Sequence, residues 1–483
     1  MKGNMENKRF IIFGTGLFYQ NRKIELPKDM DIVVFIDNNK ETWGKLLDGK
    51  PIVSPNSIHD YNFDKILLMS SKDEEMKLQL LALNIEEDKI FTWNRFRGEL
   101  EQGKLHLYNG RKLSNAKGKV LIISTYLGYT GAPLTAIYAA RALRKNGYEA
   151  VICAQNGNKE LIAETRLTGV HVVLCPSIPY LGEADLFWMQ QFDVVLVNTF
   201  VLLRCAYLIS SYRPTIWWIH ECSEKYENFF SKTIIEFSDC MDQIETAAID
   251  VIGVSSIARD NFNAYFPRRI ERMLVYGIPD EEGQDKQERT GRIRCIFAVI
   301  GTICKRKGQR EFLDVAKRFG ESDVEFWIIG GNVRGKYTND VLEMAQWCDN
   351  VKVLGELSRQ EMNLAYKEID VVVCPSLEET MSIALTEGMM YGKICIATDK
   401  TGMADYIVHG HNGLVCEAGN ADSLYGCMKW ILENGDKLDN MRLEARKTYE
   451  QYFTLDKFAD RLEEVLLRAK QKYGEKKEDF IFE

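Results

Sequence analysis

The sequence predicts an α/β protein built from three doubly wound, parallel-sheet units, and three observations support this fold class. An apolar strand followed by a glycine-containing loop and a helical pattern begins three times, at Phe10, Val120 and Ile296. The strands are continuous apolar runs, which is typical of parallel sheets covered by helices on both faces. The chain has 483 residues, enough for about three domains of roughly 150 residues each.

Two polar segments separate these units. Gly98–Gly118 is rich in Gly, Lys and Asn, and Asp280–Arg292 carries too many charges to pack in a core. We therefore predict a small Rossmann-like domain over residues 1–100, two larger Rossmann-like domains over 117–285 and 291–455, and a C-terminal helix and tail over 456–483.

Composition excludes several classes of protein. The formal net charge of −8 argues against a nucleic-acid-binding protein, which needs a basic surface. No apolar run reaches the ~18 residues of a membrane span. The twelve cysteines form no C-x-x-C pair and several lie in apolar strands, as expected of a reducing compartment. We expect a cytoplasmic protein.

The first unit carries part of a dinucleotide-binding pattern. Gly14-x-Gly16 follows the first strand, and Asp37 ends the second. These are two thirds of the fingerprint, but Tyr19 takes the place of the third glycine, where it should crowd a pyrophosphate. Two interpretations stay open: a structural or assembly module, or a nucleotide-binding domain that uses Gly14, Gly16 and Asp37.

In the second unit, the helix after the glycine loop has clear sequence signals at its start and at its end. Pro133 suits the first helical turn, basic residues gather at the end, and Gly147 supplies the cap. Further on, Phe187, Trp188 and Met189 form either a buried helix or a patch that faces an acceptor or a membrane.

The third unit begins with a basic loop. Gly301–Gly308 joins a strand to a helix and carries Arg306 and Lys307. Basic side chains at the carboxyl end of a parallel strand can neutralise a leaving diphosphate. The alternative is a solvated turn.

Two carboxylates flank the next strand-to-helix corner, in the segment PSLEETMSIALTEGMM. Glu379 lies just beyond a buried strand, and Glu387 lies inside the helix that begins near Met381 or Ser382. The amino end of that helix can hold an anion, and a carboxylate can accept hydrogen bonds from sugar hydroxyls. An anion site between two such carboxylates fits a nucleotide sugar.

These motifs, in this order, resemble the retaining glycosyltransferases of family 4, which have the GT-B fold. The resemblance covers about residues 117–465 and is most specific over residues 371–416, which begin with VVVCPSLEETMSIALTEGMMYGKICIAT. It implies two Rossmann-like domains in a GT-B arrangement, an acceptor domain and a donor domain, after a third, smaller one. The first hundred residues resemble accessory domains of bacterial polysaccharide-biosynthesis proteins.

The resemblance implies a role for residues of the donor domain. Glu387 would bind the donor ribose, and Glu379 the transferred sugar. Lys307 would bind the diphosphate, with help from the backbone near Ser382 and Ile383. Glu379 and Lys307 are thus expected to be catalytic.

Four further positions follow from the same resemblance. Gly355 would lie beside the base, and Gly301 would belong to the diphosphate loop. Gly131 would lie in the acceptor-domain loop that faces the donor. His220, at the end of the strand TIWWIH, would be a third catalytic residue against the donor sugar; the alternative is a partly buried strand-end histidine.

The chain departs from the family pattern at Thr302, where an arginine is usual, and Arg306 could replace that charge. The resemblance implies transfer from a UDP- or GDP-sugar to a glycan, lipid-linked or protein-linked acceptor, without a metal ion or other cofactor. It also implies association with the inner face of the membrane or with other biosynthetic proteins. Two alternatives stay open: a non-catalytic partner that binds sugar nucleotide, and a nicotinamide-dependent sugar-nucleotide enzyme acting through the first domain.

Overall fold

The computed structural model of the protein describes residues 8–232, 238–266, 269–281, 295–320, 323–333 and 335–482. Its packing divides the chain into two compact units. One consists of Met1–Leu107, Ala154–Asn156 and Val173–Gln191, and the other of Tyr108–Cys153, Gly157–Val172 and Phe192–Glu483. Most of the predicted linker Asp280–Arg292 lies outside the described residues. The boundaries of the three predicted domains stay predictions.

The first sheet has six strands in the order β3-β4-β2-β1-β5-β6. Its elements are β1 (Arg9–Phe13), α1 (Leu17–Arg22), β2 (Asp31–Ile36), β3 (Leu46–Leu47), β4 (Lys50–Val53), β5 (Lys65–Leu68), α2 (Asp73–Ala82), β6 (Ile90–Phe91) and α3 (Trp93–Leu100). All neighbouring strands are parallel except β3 and β4. Alternate residues of β1 enter two apolar cores, with Ile11 and Phe13 on one face and Phe10 and Ile12 on the other. The sheet is therefore covered on both faces.

The second sheet has seven strands in the order β13-β12-β11-β8-β9-β10-β7. Its elements are β7 (His106–Tyr108), β8 (Lys119–Leu127), α4 (Gly131–Lys145), β9 (Glu149–Gly157), α5 (Lys159–Leu167), β10 (His171–Leu174), α6 (Glu183–Met189), β11 (Val194–Asn198), α7 (Leu203–Ser210), β12 (Thr215–Ile219), α8 (Ser223–Lys232), α9 (Ser238–Ile244), β13 (Ile249–Gly253) and α10 (Ser256–Tyr265). Strands β8, β11, β12 and β13 are parallel. After its predicted role, we call the part of the chain from β8 to α10 the acceptor lobe.

The third sheet has six parallel strands in the order β16-β15-β14-β17-β18-β19. Its elements are β14 (Cys295–Ile300), α11 (Gln309–Phe319), β15 (Val324–Ile329), α12 (Lys336–Gln346), β16 (Val351–Gly355), α13 (Arg359–Glu368), β17 (Val371–Cys374), α14 (Ile383–Met390), β18 (Ile394–Thr398), β19 (Leu414–Cys416), α15 (Ala421–Glu433) and α16 (Leu438–Thr448). After its predicted role, we call this part the donor lobe. Because β14 and β17 are neighbours, the loops that leave their carboxyl ends meet at one edge of the sheet.

The last helix, α17 (Leu455–Phe482), leaves the donor lobe and packs on the acceptor lobe. The carboxylate of Glu463 on this helix accepts hydrogen bonds from Lys117, Asn146 and Tyr148, at 2.9 to 3.1 Å. The ring of Phe458 lies 5.7 Å from that of Trp218 in β12. The prediction of an α/β fold with parallel sheets is confirmed, with β3 as an antiparallel exception.

The aromatic cluster of Phe187, Trp188 and Met189 matches neither alternative fully. In α6, Phe187 is 79% exposed whereas Met189 is buried. The helix therefore turns one residue of the cluster to solvent and another to the core. Within the described part of the chain, no helix combines the length and apolar character that crossing a membrane requires.

Candidate functional site

The basic loop forms a tight turn at the carboxyl end of β14. Residues Lys305–Lys307 make one turn of 3-10 helix, and Gly308, with φ of +70°, ends it in the left-handed region. A Cβ atom on Gly308 would lie 2.0 Å from the carbonyl oxygen of Pro375, which follows β17. Only glycine lets the turn pack this closely on the neighbouring strand end.

Glu379 is ion-paired with both basic residues of this turn. Its Oε2 lies 2.9 Å from Arg306 and also accepts a hydrogen bond from the Nζ of Lys307. The carboxylate is buried, and burial by itself would raise the pKa of Glu379. The charges of Lys307 and Arg306 outweigh burial and hold the pKa of Glu379 below its ordinary value. The same pairs raise the pKa values of Arg306 and Lys307 against the effect of burial.

The backbone on either side of Glu379 is fixed. Its N–H donates to Lys400 at 2.9 Å, and its carbonyl oxygen accepts from Gly402 at 2.9 Å. The guanidinium of Arg306 also donates to the carbonyl of Glu378 at 2.8 Å. The carboxylate of Glu379 is therefore presented from a rigid segment.

Helix α14 begins beside this segment, as predicted. Ser382 is its N-cap, and the hydroxyl accepts a hydrogen bond from the N–H of Leu385 at 3.3 Å. Ile383 is the first helical residue, so the amino end of α14 lies four residues beyond Glu379. An N-terminus in this place favours an anion through its backbone N–H groups and the helix dipole.

Glu387, one turn into α14, is 5% exposed and is paired with Arg359, the first residue of α13. Arg359 also bonds Glu281, with distances of 3.2 Å from Nε and 3.1 Å from a terminal nitrogen. Sequence reasoning missed Arg359. The capping box of Ser358 and Glu361 predicts where the helix begins, but not where the side chain of Arg359 points.

His220 follows β12 and joins the two lobes. Its carbonyl oxygen accepts a hydrogen bond from the hydroxyl of Thr380 at 2.7 Å, beside Glu379. Burial lowers the pKa of His220 to about 3, so the ring is neutral at physiological pH. Its Nε2 is buried and has no hydrogen-bond partner among the residues that the structure describes.

Glu221 is a buried carboxylate that sequence reasoning also missed. Its Oε2 accepts from the N–H groups of His220 at 2.9 Å and Phe200 at 3.2 Å. Burial raises the pKa of Glu221 to about 7, although these backbone hydrogen bonds partly oppose the shift. Glu221 is therefore a titratable group at neutral pH beside the histidine.

Three predicted glycines differ in what their positions demand. Gly301, with φ of +143°, lies under Lys307, whose Nζ would be 3.6 Å from a Cβ atom there. Gly355 ends β16 with φ of +71° and accepts from the N–H of Gly330. Gly131 is the first residue of α4, where the preceding loop turns into the helix, and its role toward the donor stays a prediction.

The G-x-G loop of the first sheet uses its acidic residue internally. The carboxylate of Asp37 accepts from the N–H and hydroxyl of Thr15, at 2.8 and 2.6 Å, and from the N–H of Asn39. Gly14, with φ of +103°, passes close to the carbonyl of Met69. Tyr19 is buried against Phe35. These contacts support the interpretation of a structural module.

The predicted site residues of the donor lobe thus lie together, and those of the first sheet form a separate loop in the other compact unit. In the described ranges, no group of three or more His, Cys, Asp and Glu side chains is arranged to hold a metal ion.

Three families match the chain. The family described as Glycosyl transferases group 1 matches residues 280–448, and the family described as Glycosyl-transferase family 4 matches residues 116–242. The family described as C2185-like, N-terminal matches residues 6–91. The two glycosyltransferase matches cover most of the acceptor lobe and then the donor lobe.

Curated relatives and solved structures agree with these matches. D-rhamnosyltransferase WbpZ of Pseudomonas aeruginosa is 25% identical over 45% of this chain and 57% of its own. UDP-Gal:alpha-D-GlcNAc-diphosphoundecaprenol alpha-1,3-galactosyltransferase of Escherichia coli is 26% identical over 36% of this chain and 45% of its own. The chain thus spans about half the length of the curated relatives it matches.

Among solved structures, Anabaena Alr3699/HepE in complex with UDP and glucose has a TM-score of 0.62 and 17% identity, over 73% of this chain and all of its own. WaaG, a glycosyltransferase involved in lipopolysaccharide biosynthesis, has a TM-score of 0.54 and 13% identity, over 72% of this chain and 99% of its own. Together with the ordered motifs, these matches support a family 4 glycosyltransferase over residues 116–242 and 280–448, and the solved structures show the GT-B fold.

Proposed function

We propose that this protein is a retaining glycosyltransferase that moves a sugar from a nucleoside diphosphate sugar to a hydroxyl group of a glycan, lipid-linked or protein-linked acceptor. The donor is a UDP- or GDP-sugar. The reaction belongs to the biosynthesis of a bacterial cell-surface polysaccharide or glycoconjugate. It takes place in the cytoplasm, at the inner face of the membrane where the acceptor is lipid-linked.

One observation carries this proposal. Arg306, Lys307 and Glu379 converge at the carboxyl ends of two neighbouring parallel strands, beside the amino end of α14. Two cations and one carboxylate leave a net positive charge at this point. That charge and the helix end suit a diphosphate, and the carboxylate suits the hydroxyls of an attached sugar.

The ion pairs suggest how donor binding begins. A diphosphate that enters the site competes with Glu379 for Arg306 and Lys307. When the two cations turn to the phosphate oxygens, the Glu379 carboxylate becomes available to accept hydrogen bonds from the sugar. Each charge-assisted hydrogen bond of this kind contributes about 1.5–3 kcal/mol.

Catalysis in this scheme comes from orientation and from stabilisation of the departing charge. The diphosphate leaves from one face of the sugar, the acceptor hydroxyl enters on that face, and the anomeric configuration is retained. Arg306 and Lys307 stabilise the charge that develops on the diphosphate as the bond breaks. Because these two side chains supply positive charge, the scheme calls for no metal ion.

His220 contributes as a neutral, half-buried ring. The unpartnered Nε2 is a hydrogen-bonding atom that a sugar hydroxyl or the acceptor can satisfy. The depressed pKa keeps the ring uncharged, so it does not compete with Arg306 and Lys307 for the diphosphate. We assign His220 to the sugar and Glu387 to the ribose.

The names of the similar proteins support the choice of substrates. The E. coli relative is named for UDP-Gal and a diphosphoundecaprenol-linked acceptor, and the HepE structure contains UDP and glucose. The first hundred residues, which match a separate family, serve in our proposal as an assembly module for other biosynthetic proteins.

The proposal is tested by measuring the melting temperature with UDP-, GDP- and ADP-sugars, followed by sugar transfer with the nucleotide that binds. A ligand at 100 times its dissociation constant adds about 2.7 kcal/mol of stability. We expect stabilisation by a UDP- or GDP-sugar and release of UDP or GDP on turnover. No stabilisation by any of them would refute the proposal. Binding without release or transfer would assign the chain to the non-catalytic partners, for which Thr302 is the motivating feature.

A further inference from the structure

Arg359 lies between two carboxylates at the donor site. It is the first residue of α13, and its guanidinium donates to Glu387 on one side and to Glu281 on the other. Glu281 also accepts a hydrogen bond from Asn363, one turn further along α13, at 2.7 Å. Arg359 is thus held at both ends of its guanidinium group.

This arrangement answers a problem that the proposed function creates. The side chain of Glu387 is only 7% exposed. The proposed function places a diphosphate in the same site. An unpaired buried carboxylate is strongly disfavoured, and a nearby diphosphate of the same sign disfavours it further. Arg359 compensates both effects, because it pairs with the carboxylate and fixes its direction.

Glu281 keeps the side chain of Arg359 beside Glu387 and prevents it from moving to the diphosphate. A free arginine beside a nucleotide would be attracted to the diphosphate. The guanidinium nitrogens that do not donate to Glu387 donate to Glu281, and Glu281 also accepts a hydrogen bond from Asn363. An arginine bonded through several nitrogens has a defined orientation, which a lysine cannot reproduce.

We propose that Arg359 is the positioning residue for ribose recognition: anchored by Glu281, it holds the Glu387 carboxylate in the orientation that accepts the ribose hydroxyls, and thereby sets the preference for ribonucleotide over deoxyribonucleotide donors. This inference rests on the proposed function, because it assumes that a nucleotide occupies the site. It assigns Arg359 no contact with the reacting atoms.

The test compares the affinities of UDP and 2′-deoxy-UDP, and of GDP and 2′-deoxy-GDP, for the full-length protein by calorimetry. The wild type should prefer the ribonucleotide of the base that it binds. In Arg359→Gln this preference should fall about tenfold, which corresponds to about 1.4 kcal/mol. The affinity for the deoxynucleotide should change less, since the deoxynucleotide lacks one of the two hydroxyls that Glu387 recognises.

Three further variants make the test decisive. Glu281→Gln removes the anchor and should lower the preference in the same direction. Arg359→Lys keeps the charge but not the fork, and should restore only part of the preference. Arg318→Gln is the matched control, because Arg318 is an ion-paired arginine of the donor lobe bonded to Asp422, and the ratio should not change. If Arg359→Gln fails to fold, the Glu281→Gln and Arg359→Lys ratios decide.

The outcomes separate this inference from the proposed function. Equal weakening of both nucleotides in Arg359→Gln would overturn the inference and reduce Arg359 to a general electrostatic role. A wild type that binds UDP and 2′-deoxy-UDP, or GDP and 2′-deoxy-GDP, equally would overturn it too, while leaving sugar transfer intact. A wild type that binds no UDP-, GDP- or ADP-sugar would refute the proposed function as well.

Discussion

The carboxylate of Glu378 accepts two hydrogen bonds from Ser223, one from the backbone N–H at 3.0 Å and one from the hydroxyl at 2.5 Å. It also accepts from the side chain of Asn261. Ser223 begins α8 and Asn261 lies in α10, so both partners belong to the acceptor lobe. The residue directly before Glu379 therefore bonds the donor-site segment to the other lobe.

We predict that Glu378→Ala lowers kcat at least about tenfold while the affinity for the donor nucleotide changes little. The loss of hydrogen bonds to a charged group, about 1.5–3 kcal/mol each, weakens the contact between the two lobes but leaves Arg306 and Lys307 in place. Transfer kinetics and nucleotide titration measure the two quantities separately.

The control for this prediction is Ser256→Ala. Ser256 donates to Asp405 at 2.6 Å in a second hydrogen bond between the lobes, but this one is solvent-exposed and distant in sequence from Glu379. We expect a much smaller change in kcat. Equal effects of the two substitutions would show that Glu378 has no special position.

The basic turn gives a second prediction. Lys307→Ala should lower kcat about 10²–10³-fold, the usual effect of removing one group that stabilises a developing negative charge. Lys305→Ala, two residues earlier in the same turn, should have little effect because that side chain is exposed to solvent. Steady-state transfer assays on both variants check this, and unchanged turnover in Lys307→Ala would contradict the assigned role.

The contact between the basic turn and Glu379 could be predicted from the sequence for a physical reason. Apolar strands followed by short loops predict a parallel sheet, and the carboxyl ends of such strands share one edge. Arg306 and Glu379 follow β14 and β17, which are neighbours. Local patterns together with one topological rule were therefore enough to bring these side chains together.

The sequence carries no comparable signal for contacts that depend on packing between distant segments. Arg359 and Glu387 are 28 residues apart, and Glu378 and Ser223 are 155 residues apart. The capping box predicted the start of α13, but rotamers and lobe packing decide where Arg359 points. Asp37 shows the same limit, because its position matched a ribose-binding pattern while its carboxylate bonds to Thr15.

The glycine that ends the basic turn gives a third prediction. Gly308→Ala should destabilise the protein more than Gly410→Ala, although both residues have positive φ, +70° and +81°. Both substitutions should lower the free energy of unfolding by about 1–2 kcal/mol, because alanine is disfavoured in the left-handed conformation. Only Gly308 adds a clash, with the carbonyl of Pro375, whereas a Cβ atom on Gly410 meets no described atom within 4 Å.

Thermal denaturation of the two glycine variants measures this difference. Gly308→Ala, which overpacks its site, should lower the free energy of unfolding by about 1–3 kcal/mol more than Gly410→Ala. Nucleotide affinity should also fall in Gly308→Ala alone, because a displaced turn moves Arg306 and Lys307. Equal melting temperatures would show that the turn adjusts without strain.

The pH dependence of stability gives a fourth prediction, on Glu221. Its pKa is raised from 4.5 to about 7, so the contribution of this group to stability is fully present below pH 4.5 and is lost as the pH rises through 7. Glu221→Gln cannot ionise, and should lack this loss. The side chain is 9% exposed, and the expected difference across the window is on the order of 3 kcal/mol.

The measurement is the difference between wild-type and Glu221→Gln stability at pH 5 and pH 8. His220 acts in the opposite direction, because its pKa is lowered to about 3 and its contribution is lost as the pH falls below about 6.5. The contribution of His220 to stability is present in both proteins and cancels in the difference. The stability of the variant relative to the wild type should therefore increase as the pH rises. Parallel stability profiles would mean that Glu221 is ionised throughout.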